Sequence, residues 1–156
     1  MIGAFAVGKT SLVQQYVNSI FSEKYHTTIG VKIDQKSLSL DDKEVNLLVW
    51  DIHGDDEYQK IKPGYLVGAS GYFLVIDGMR KNTIDVAKQL NKMVISTIGE
   101  TPFIVIINKS DLKEQWEITD NDIIGLKNLG WKIILTSARE NLGVDGAFTS
   151  LCSSMI

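Results

Sequence analysis

One segment near the amino terminus, residues 3–10, limits the fold of this chain more than any other feature of the sequence. Its sequence, GAFAVGKT, fits the pattern G-x-x-x-x-G-K-[ST], and apolar residues at helical spacing follow it. The glycines of such a loop let several backbone N–H groups face inward at the start of a helix, where they bind phosphate oxygens. We therefore expect Lys9 to reach the β- and γ-phosphates and the Thr10 hydroxyl to ligate Mg²⁺. A glycine turn before a helix that carries Lys-Thr by chance is the alternative.

The residues expected to surround the phosphates follow from this pattern. They are Gly3, Ala6, Val7, Gly8, Lys9, Thr10 and Ser11. Only Met1 and Ile2 precede the loop, where a full central strand is expected, so we expect a truncated first strand.

The composition is that of an ordinary globular chain. It has 156 residues, of which 44% are apolar and 22% charged, with a formal net charge of −3. These values suit one domain over residues 1–156, and the weak negative charge argues against binding to nucleic acid. The single cysteine, Cys152, excludes an intrachain disulfide and fits a reducing, cytoplasmic compartment. Because Cys152 is fifth from the end and a prenylation box needs a cysteine fourth from the end, we expect no membrane anchor in this chain.

Short apolar runs alternate with stretches of helical spacing along the rest of the chain. Strands are predicted at residues 31–40, 45–50, 72–76, 103–107 and 132–135. Helices are predicted to begin near Asn82, Thr119 and Val144. This alternation predicts an α/β fold, with a mostly parallel six-stranded sheet, one antiparallel edge hairpin and helices on both faces. Such sheets bind ligands beyond the carboxyl ends of their strands, which is where the motifs of this chain fall.

The tetrapeptide NKSD, at residues 108–111, directly follows a predicted strand. The Asp111 carboxylate can accept two hydrogen bonds, from N1–H and the exocyclic amine of guanine, whereas adenine has no matching donor pair. Asn108 can bond the N7 side of the purine, and the stem of Lys109 can cover the base plane. Residues 136–138, after the last strand, can place a backbone N–H against the guanine O6. These features favour guanine; for the tetrapeptide alone, a polar loop is the alternative.

The sequence resembles the Ras superfamily of small GTPases over nearly its whole length. The motifs that carry the resemblance are, in chain order, the phosphate loop, T-I-G at 28–30, D-x-x-G at 51–54, N-K-x-D at 108–111 and S-A at 137–138. Within the superfamily, T-I-G-V before a strand and the stretch GASGYFLVID are most like the Rab branch. The resemblance implies a P-loop GTPase fold, with a single G domain that binds GTP and GDP with Mg²⁺.

The resemblance also assigns roles to residues of the first switch and of the base site. Phe21 would pack against the guanine, Tyr25 would cover the phosphates, and Thr28 would close on Mg²⁺ and the γ-phosphate. The base site would be completed by the loop after the last strand, which contains Ser137, Ala138 and Arg139. The alternatives are core aromatics for Phe21 and Tyr25, and a plain strand N-terminus for Thr28.

The D-x-x-G motif lies in the stretch WDIHGDDEY, where a strand ends in an aspartate. Asp51 would hold Mg²⁺ through a coordinated water, because Mg²⁺ keeps several of its waters in proteins. The Gly54 N–H would bond the γ-phosphate, and loss of that phosphate would release the segment. An N-capping aspartate beside a turn glycine is the alternative.

Two residues depart from the family pattern where GTP would be hydrolysed. Asp55 stands directly after Gly54, where small GTPases of this family usually have a glutamine that orients the attacking water. Phe5 occupies a phosphate-loop position at which a bulky side chain obstructs that glutamine and the arginine finger. Both departures predict slow hydrolysis. The candidate catalytic residues are Asp55 itself and His53, which could orient water; packing beneath the second switch is the alternative for His53.

Three functions follow from these motifs, and they differ in what the bound nucleotide does. The first is a GTP-hydrolysing switch whose loops, residues 21–31 and 51–65, are read by effector and regulatory proteins. The second is a scaffold or regulatory module that binds GTP or GDP with little or no hydrolysis, which Asp55 and Phe5 favour. The third, a P-loop ATPase or small-molecule kinase, conflicts with the guanine motif at residues 108–111.

Overall fold

The computed structural model describes residues 1–24, 27–56 and 60–156. Tyr25 and His26, in the first predicted switch, lie outside this part of the chain, as do residues 57–59 in the second. The role predicted for Tyr25 over the phosphates therefore stays a prediction.

The elements alternate between strands and helices as the sequence predicts. In chain order they are β1 (Ile2–Gly3), α1 (Lys9–Asn18), β2 (Val31–Leu40), β3 (Lys43–Ile52), β4 (Tyr72–Asp77), α2 (Thr83–Ile98), β5 (Phe103–Asn108), α3 (Asp120–Asn128), β6 (Ile133–Leu135) and α4 (Val144–Met155). Single 3-10 segments, Pro63–Leu66 and Ser110–Gln115, follow β3 and β5. All the predicted strands form, and the three predicted helix starts agree with the structure to within one residue.

Four strands form one parallel sheet in the order β1, β4, β5, β6. Val75, in the middle of β4, pairs with Gly3 on one side and with Ile106 on the other. β4 is buried along its whole length, as expected for a parallel strand that is covered on both faces. The predicted α/β architecture with a parallel sheet is confirmed.

Successive residues of β4 and β5 point to opposite faces of the sheet and so contribute to two cores. On one face, Phe73, Val75, Ile104 and Ile106 pack with α1 and α4. On the other, Leu74, Ile76, Val105 and Ile107 pack with α2 and α3. In the first core, the rings of Tyr16 and Phe148 stack with their centroids 3.8 Å apart, which joins α1 to α4. The helices therefore cover both faces, as predicted.

β2 and β3 form an antiparallel hairpin in which Val31 lies opposite Ile52. Its turn consists of Asp41 and Asp42, whose φ angles are 48° and 63°. Two successive left-handed residues match the right-handed twist of the flanking strands, and aspartate tolerates this conformation better than most residues. The predicted hairpin is present, and each of its strands has 10 residues.

The hairpin and the parallel sheet are separate ladders. They approach each other at Met1, whose amino group donates to the Trp50 carbonyl at 2.9 Å. β1 has only 2 residues, so it offers little backbone with which β3 can pair. The six predicted strands are thus divided between a four-stranded and a two-stranded ladder. Burial of the Met1 amine at this junction lowers its pKa to about 5.

The helices of the described ranges are shorter than a bilayer requires. A membrane-spanning helix needs about 20 mostly apolar residues. α2, with 16 residues, is too short, and no helix within the described ranges is long and apolar enough to cross a membrane.

Candidate functional site

A cavity of about 410 Å³ lies at the carboxyl edge of the parallel sheet. We call it the phosphate-loop cavity, because the segment between β1 and α1 forms one of its walls. The predicted site residues that line it are Ala6, Gly8, Lys9, Thr10, Ser11, Phe21, Thr28, Gly54, Asn108, Lys109, Asp111, Ala138 and Arg139. The other predicted residues in the described chain lie outside its lining: Gly3, Val7, Asp51, His53, Asp55 and Ser137.

The phosphate loop bends through two left-handed residues before α1 begins. Ala6 has a φ of 60° and Gly8 a φ of 98°. Such residues among right-handed ones turn successive N–H groups to one side of the chain. Close packing requires the motif's glycines as well: a Cβ at Gly8 would lie 2.3 Å from Asn108 Nδ2, and one at Gly3 would lie 2.4 Å from the Val75 carbonyl oxygen. Gly3 and Val7 therefore support the loop from outside the cavity.

Lys9 is buried at the start of α1, with 5% of its surface exposed. Its Nζ donates to the carbonyl oxygens of Gly3 at 3.2 Å and Ala4 at 3.0 Å. Burial lowers the pKa of Lys9 to about 8, and the nearby Asp51 carboxylate opposes this effect. An anion in the cavity would favour the charged form of this buried amine. A charged Lys9 is what binding of a phosphate group requires.

Three oxygen-bearing side chains meet at the cavity wall, two of them in its lining and one behind it. Thr10 Oγ1 donates to Asp51 Oδ2 at 2.6 Å and lies 2.7 Å from Thr28 Oγ1. These are the three residues predicted to hold Mg²⁺, and they come from α1, the first switch and the end of β3. Hydroxyl and carboxylate oxygens are ligands that Mg²⁺ accepts.

Asp51 carries the strongest sign that a cation belongs at this position. It is 1% exposed, and its Oδ1 has no hydrogen-bond partner among the described residues. Burial raises the pKa of Asp51, while the bond from Thr10 and the charge of Lys9 oppose that rise. A buried carboxylate oxygen without a partner is costly, so this oxygen fits Mg²⁺ or one of its waters. Within the described ranges, no group of three or more His, Cys, Asp or Glu side chains offers another metal site.

Asn108, the last residue of β5, ties three parts of the site together. Its Nδ2 donates to the Val7 carbonyl at 3.1 Å, across the phosphate loop. Its Oδ1 accepts from Thr136 Oγ1 at 3.1 Å and from the Ala138 N–H at 3.3 Å. Asn108 therefore fixes the phosphate loop and the loop after β6 to the end of β5.

Asp111, the acidic residue predicted to bind the guanine base, is oriented by a hydrogen bond from a buried serine. Asp111 Oδ1 accepts from Ser137 Oγ at 2.8 Å, and that hydroxyl in turn accepts from the Glu140 N–H at 3.0 Å. Ser137 is fully buried, so it orients Asp111 and does not contact the cavity. The Lys109 carbonyl accepts from Trp116 Nε1 at 2.9 Å, which fixes the backbone of the same loop.

The first switch borders the mouth of the cavity. Phe21 is 36% exposed there, and Thr28 lies deeper, beside Thr10. Arg139 pairs with Glu23 at 2.9 Å, which joins the loop after β6 to the first switch. Both side chains of this pair are more than half exposed, so the pair contributes little to stability.

The second switch begins directly on the phosphate loop. The Asp55 N–H donates to the Gly3 carbonyl at 3.0 Å, and the Phe5 N–H donates to the Asp55 carbonyl at 3.1 Å. A Cβ at Gly54 would lie 2.4 Å from Phe5 Cα, so only glycine fits at this contact. The backbone of residues 54–55 is thus pinned to the loop by two hydrogen bonds.

Neither predicted catalytic side chain is brought into the cavity. Asp55 Oδ1 accepts from Lys60 Nζ at 3.0 Å, and its Oδ2 accepts from the Ile61 N–H at 3.3 Å. His53 is 2% exposed, and its Nδ1 lies 3.2 Å from the Gly54 carbonyl. The edge of its ring faces Tyr65, with centroids 6.4 Å apart. His53 therefore packs beneath the second switch, which is the alternative that the sequence left open.

Two charged residues beside the phosphate loop were not predicted from the sequence. Asp77 ends β4, and its buried carboxylate pairs with Arg80 and with Lys109. Arg80 also donates to the Phe5 carbonyl. The signal that could have found Asp77 is its place at the end of a buried strand, which it shares with Asn108.

The fold and the glycine-bounded loop at its sheet edge are those of a P-loop GTPase. The family model described as the Ras family matches residues 1–156, so the chain belongs to the Ras family of small GTPases. The Ras-related protein Rab-21 of Mus musculus is 30% identical over 158 residues, which cover 100% of this chain and 71% of that protein. The Ras-related protein Rab-12 of Homo sapiens is 30% identical over 159 residues, which cover 100% of this chain and 65% of that protein. The predicted likeness to the Rab branch is confirmed.

Proposed function

We propose that this chain is a guanine-nucleotide-dependent switch that binds GTP and GDP with Mg²⁺ and hydrolyses GTP slowly. The observation that carries the proposal is that one cavity is lined by the phosphate loop, by the hydroxyl-bearing Thr10 and Thr28 that meet at Asp51, and by the N-K-x-D loop. These three parts come from the ends of different strands. They correspond to the phosphates, the metal ion and the base of a single nucleotide.

The choice of guanine rests on the orientation of Asp111. Its Oδ1 is held by Ser137, so the carboxylate has a defined direction at the cavity wall. An ionised carboxylate only accepts hydrogen bonds, and guanine offers two donors on one edge. Adenine would bring a ring nitrogen without a proton toward the same carboxylate and would leave it unpaired. The arrangement supports guanine as the base.

The phosphate and metal contacts fall to residues of α1, the first switch and β3. Lys9 would donate to phosphate oxygens, and Thr10, Thr28 and Asp51 would hold Mg²⁺ directly or through water. When bound, Mg²⁺ would neutralise part of the negative charge of the phosphates. Thr28 and Gly54 belong to the two switch segments, so a γ-phosphate would hold both segments, and its loss would release them.

Slow hydrolysis follows from the surroundings of Asp55. Its carboxylate is engaged by Lys60 and by the Ile61 N–H, so it does not face the cavity where the attacking water would lie. If it turned inward, its negative charge would approach a negatively charged γ-phosphate. Phe5 lines the cavity at the position where a bulky side chain obstructs a water-orienting residue or an arginine finger.

A second candidate function is a scaffold that binds GTP or GDP without turning it over. The two backbone hydrogen bonds that pin residues 54–55 to the phosphate loop favour this reading. A switch segment whose backbone is already bonded to the phosphate loop would change its conformation less when GTP is replaced by GDP. Measured turnover separates the two functions, because a scaffold would keep GTP intact over many hours while a slow GTPase would convert it to GDP.

The partner-binding surface of such a switch would include the outer face of the hairpin. Ile33 lies directly opposite Trp50, and Leu48 is two residues before Trp50 on the same face. Ile33 is 50% exposed, Leu48 59% and Trp50 40%, so the three form an exposed apolar group next to the second switch. Exposed apolar groups of this kind mark protein–protein contacts. We propose that effector and regulatory proteins contact this face together with residues 21–31 and 51–65, in the cytoplasm.

The first experiment on the proposal identifies the nucleotide that the protein carries. Purified protein is denatured, and the released nucleotides are separated and quantified. We expect close to one equivalent of GDP plus GTP, and we expect GTP but not ATP to displace a labelled guanine nucleotide from the refilled site. Protein that carries no nucleotide and takes up no GDP, or that exchanges equally with ATP, would show the proposal to be wrong.

A further inference from the structure

The buried carboxylate of Asp77 holds two cations at the carboxyl end of β4. Its Oδ2 accepts from Lys109 Nζ at 2.7 Å and from Arg80 Nε at 3.0 Å. Its Oδ1 accepts from the Met79 N–H at 2.9 Å. Asp77 is only 1% exposed, and a carboxylate this deeply buried is stable only when charges and hydrogen bonds compensate its desolvation. Asp77 therefore depends on both cations and fixes where they lie.

Both cations also donate to the phosphate loop. Arg80 Nη2 donates to the Phe5 carbonyl. Lys109 Nζ donates to the next carbonyl, that of Ala6, at 3.4 Å. The buried Asp77 carboxylate thus binds the side chains of Arg80 and Lys109. These two side chains in turn bond two successive carbonyls of the loop that would contact phosphate.

The direction of a carbonyl decides the direction of the next N–H. In a trans peptide unit the C=O and N–H bonds point in opposite directions, and none of the peptide bonds in the described phosphate loop is cis. Because Arg80 bonds the Phe5 carbonyl, the Ala6 N–H of the same peptide unit points away from Arg80. Because Lys109 bonds the Ala6 carbonyl, the Val7 N–H points away from Lys109 in the same manner. The loop thereby presents successive N–H groups on one side, as a phosphate-binding nest requires.

On the basis of the nucleotide binding proposed above, we propose that Asp77 and Arg80 are positioning residues for the phosphates of the bound nucleotide. Arg80 aims the Ala6 N–H into the phosphate-loop cavity, and Asp77 holds Arg80 and Lys109 in register with the loop. Lys109 belongs to the base-reading loop, so Asp77 also couples the base-reading loop to the phosphate loop. The guanidinium adds positive charge beside a ligand that carries several negative charges.

The test compares two neighbouring alanine variants, Arg80→Ala and Lys81→Ala. Each removes one cation from an ion pair with an aspartate, but the Lys81 pair, with Asp122 at 2.9 Å, lies on the surface away from the phosphate loop. The measurement is the release rate of fluorescently labelled GDP in excess Mg²⁺. We expect Arg80→Ala to release GDP about tenfold faster, because a lost hydrogen bond from a charged donor corresponds to about that factor. Lys81→Ala should release it at the wild-type rate.

Three further measurements separate positioning from general damage to the fold. Arg80→Lys keeps the charge and should restore part of the slow release. GMP, which lacks the β-phosphate, should lose less affinity than GDP in Arg80→Ala, since GMP presents fewer phosphate oxygens to the N–H groups of the loop. Asp77→Asn, which frees both cations, should release GDP faster than Arg80→Ala does. Arg80→Ala leaves the buried Asp77 carboxylate with one cation fewer and should melt at a lower temperature than Lys81→Ala, so the release rates of both variants are measured well below the lower melting temperature.

The outcomes distinguish this inference from the proposed function on which it rests. If the wild type binds GDP and Arg80→Ala releases it at the wild-type rate, the positioning role is wrong while the proposed function stands. Equal losses for GMP and GDP would also overturn the positioning role. If the wild type itself binds no guanine nucleotide, the proposed function fails, and the inference fails with it.

Discussion

Asp55 directs its carboxylate toward its own segment and away from the phosphate-loop cavity. Lys60 and the Ile61 N–H each bond one of its oxygens, and its side chain is only 12% exposed. The backbone of the same residue bonds Gly3 and Phe5 in the phosphate loop. The residue that stands where a water-orienting glutamine is usual therefore anchors the second switch in this structure.

At this residue we predict that Asp55→Gln speeds GTP hydrolysis. Glutamine removes the negative charge near the γ-phosphate and supplies a longer side chain that can both donate and accept a hydrogen bond to water. We expect a rise of about tenfold in the single-turnover rate, equivalent to about 1.4 kcal/mol of barrier. Asp55→Asn is the matched control, since it removes the charge without adding reach. Equal rates in Asp55→Gln and wild type would contradict the prediction.

At the scale of elements, the helix starts show which glycines the fold requires. Gly143 precedes α4 with a φ of 69°, and a Cβ there would lie 2.4 Å from the Leu135 carbonyl oxygen at the end of β6. Gly125 lies inside α3, where an added Cβ would meet no atom within 4 Å. Glycine is thus required at position 143, before α4, whereas at position 125 it destabilises the interior of α3.

We predict opposite effects of one substitution at these two positions. Gly125→Ala should raise the free energy of unfolding by about 0.5–1 kcal/mol, because alanine loses less backbone entropy in a helix. Gly143→Ala should lower it by about 1–3 kcal/mol, because it forces a left-handed residue and a backbone clash. Urea unfolding of both variants measures the two changes. A stabilised Gly143→Ala would show that the β6–α4 junction relaxes freely.

At the scale of the whole molecule, the candidate ligand would add a link between the parallel sheet and the hairpin. The four-stranded sheet and the hairpin are separate ladders, and Met1 provides a direct hydrogen bond between them. Thr10 belongs to the helix that follows the sheet's first strand, and Asp51 belongs to the hairpin. A metal ion held between these residues would therefore tie the hairpin to the sheet.

We therefore predict that GDP with Mg²⁺ stabilises the protein against heat. Ligand at 100 times its Kd contributes about 2.7 kcal/mol, which corresponds to a rise of about 5–10 °C in Tm for a chain of this size. ATP with Mg²⁺ should give no comparable rise, and EDTA should remove most of the gain from GDP. Differential scanning fluorimetry measures all three. A rise with GDP that EDTA leaves intact would contradict the role of Thr10, Thr28 and Asp51 as metal ligands.

Much of the fold and part of the site could be predicted from the sequence. Strand and helix positions follow from apolar spacing, which is a local property, and the predicted β2 range agrees with the structure at both ends. The meeting of Thr10, Thr28 and Asp51 is expected from the phosphate-loop pattern together with the resemblance to small GTPases. The division of the strands into two ladders could not be predicted, because it depends on how closely β1 and β3 approach.

The sequence by itself determined the α/β order, the phosphate-loop pattern and the guanine motif, because each is written in residues that are close together in the chain. Only the tertiary structure decided where the charged side chains point. Arg80 meets the Phe5 carbonyl across 75 residues, and Lys109 meets the Ala6 carbonyl across 103. Asp55 likewise turned to Lys60 instead of the cavity, because a nearby cation and a backbone N–H compete for its carboxylate. The hydrogen-bond partner of a charged side chain depends on which groups packing brings within bonding distance. A pattern of neighbouring residues in the sequence does not contain that information.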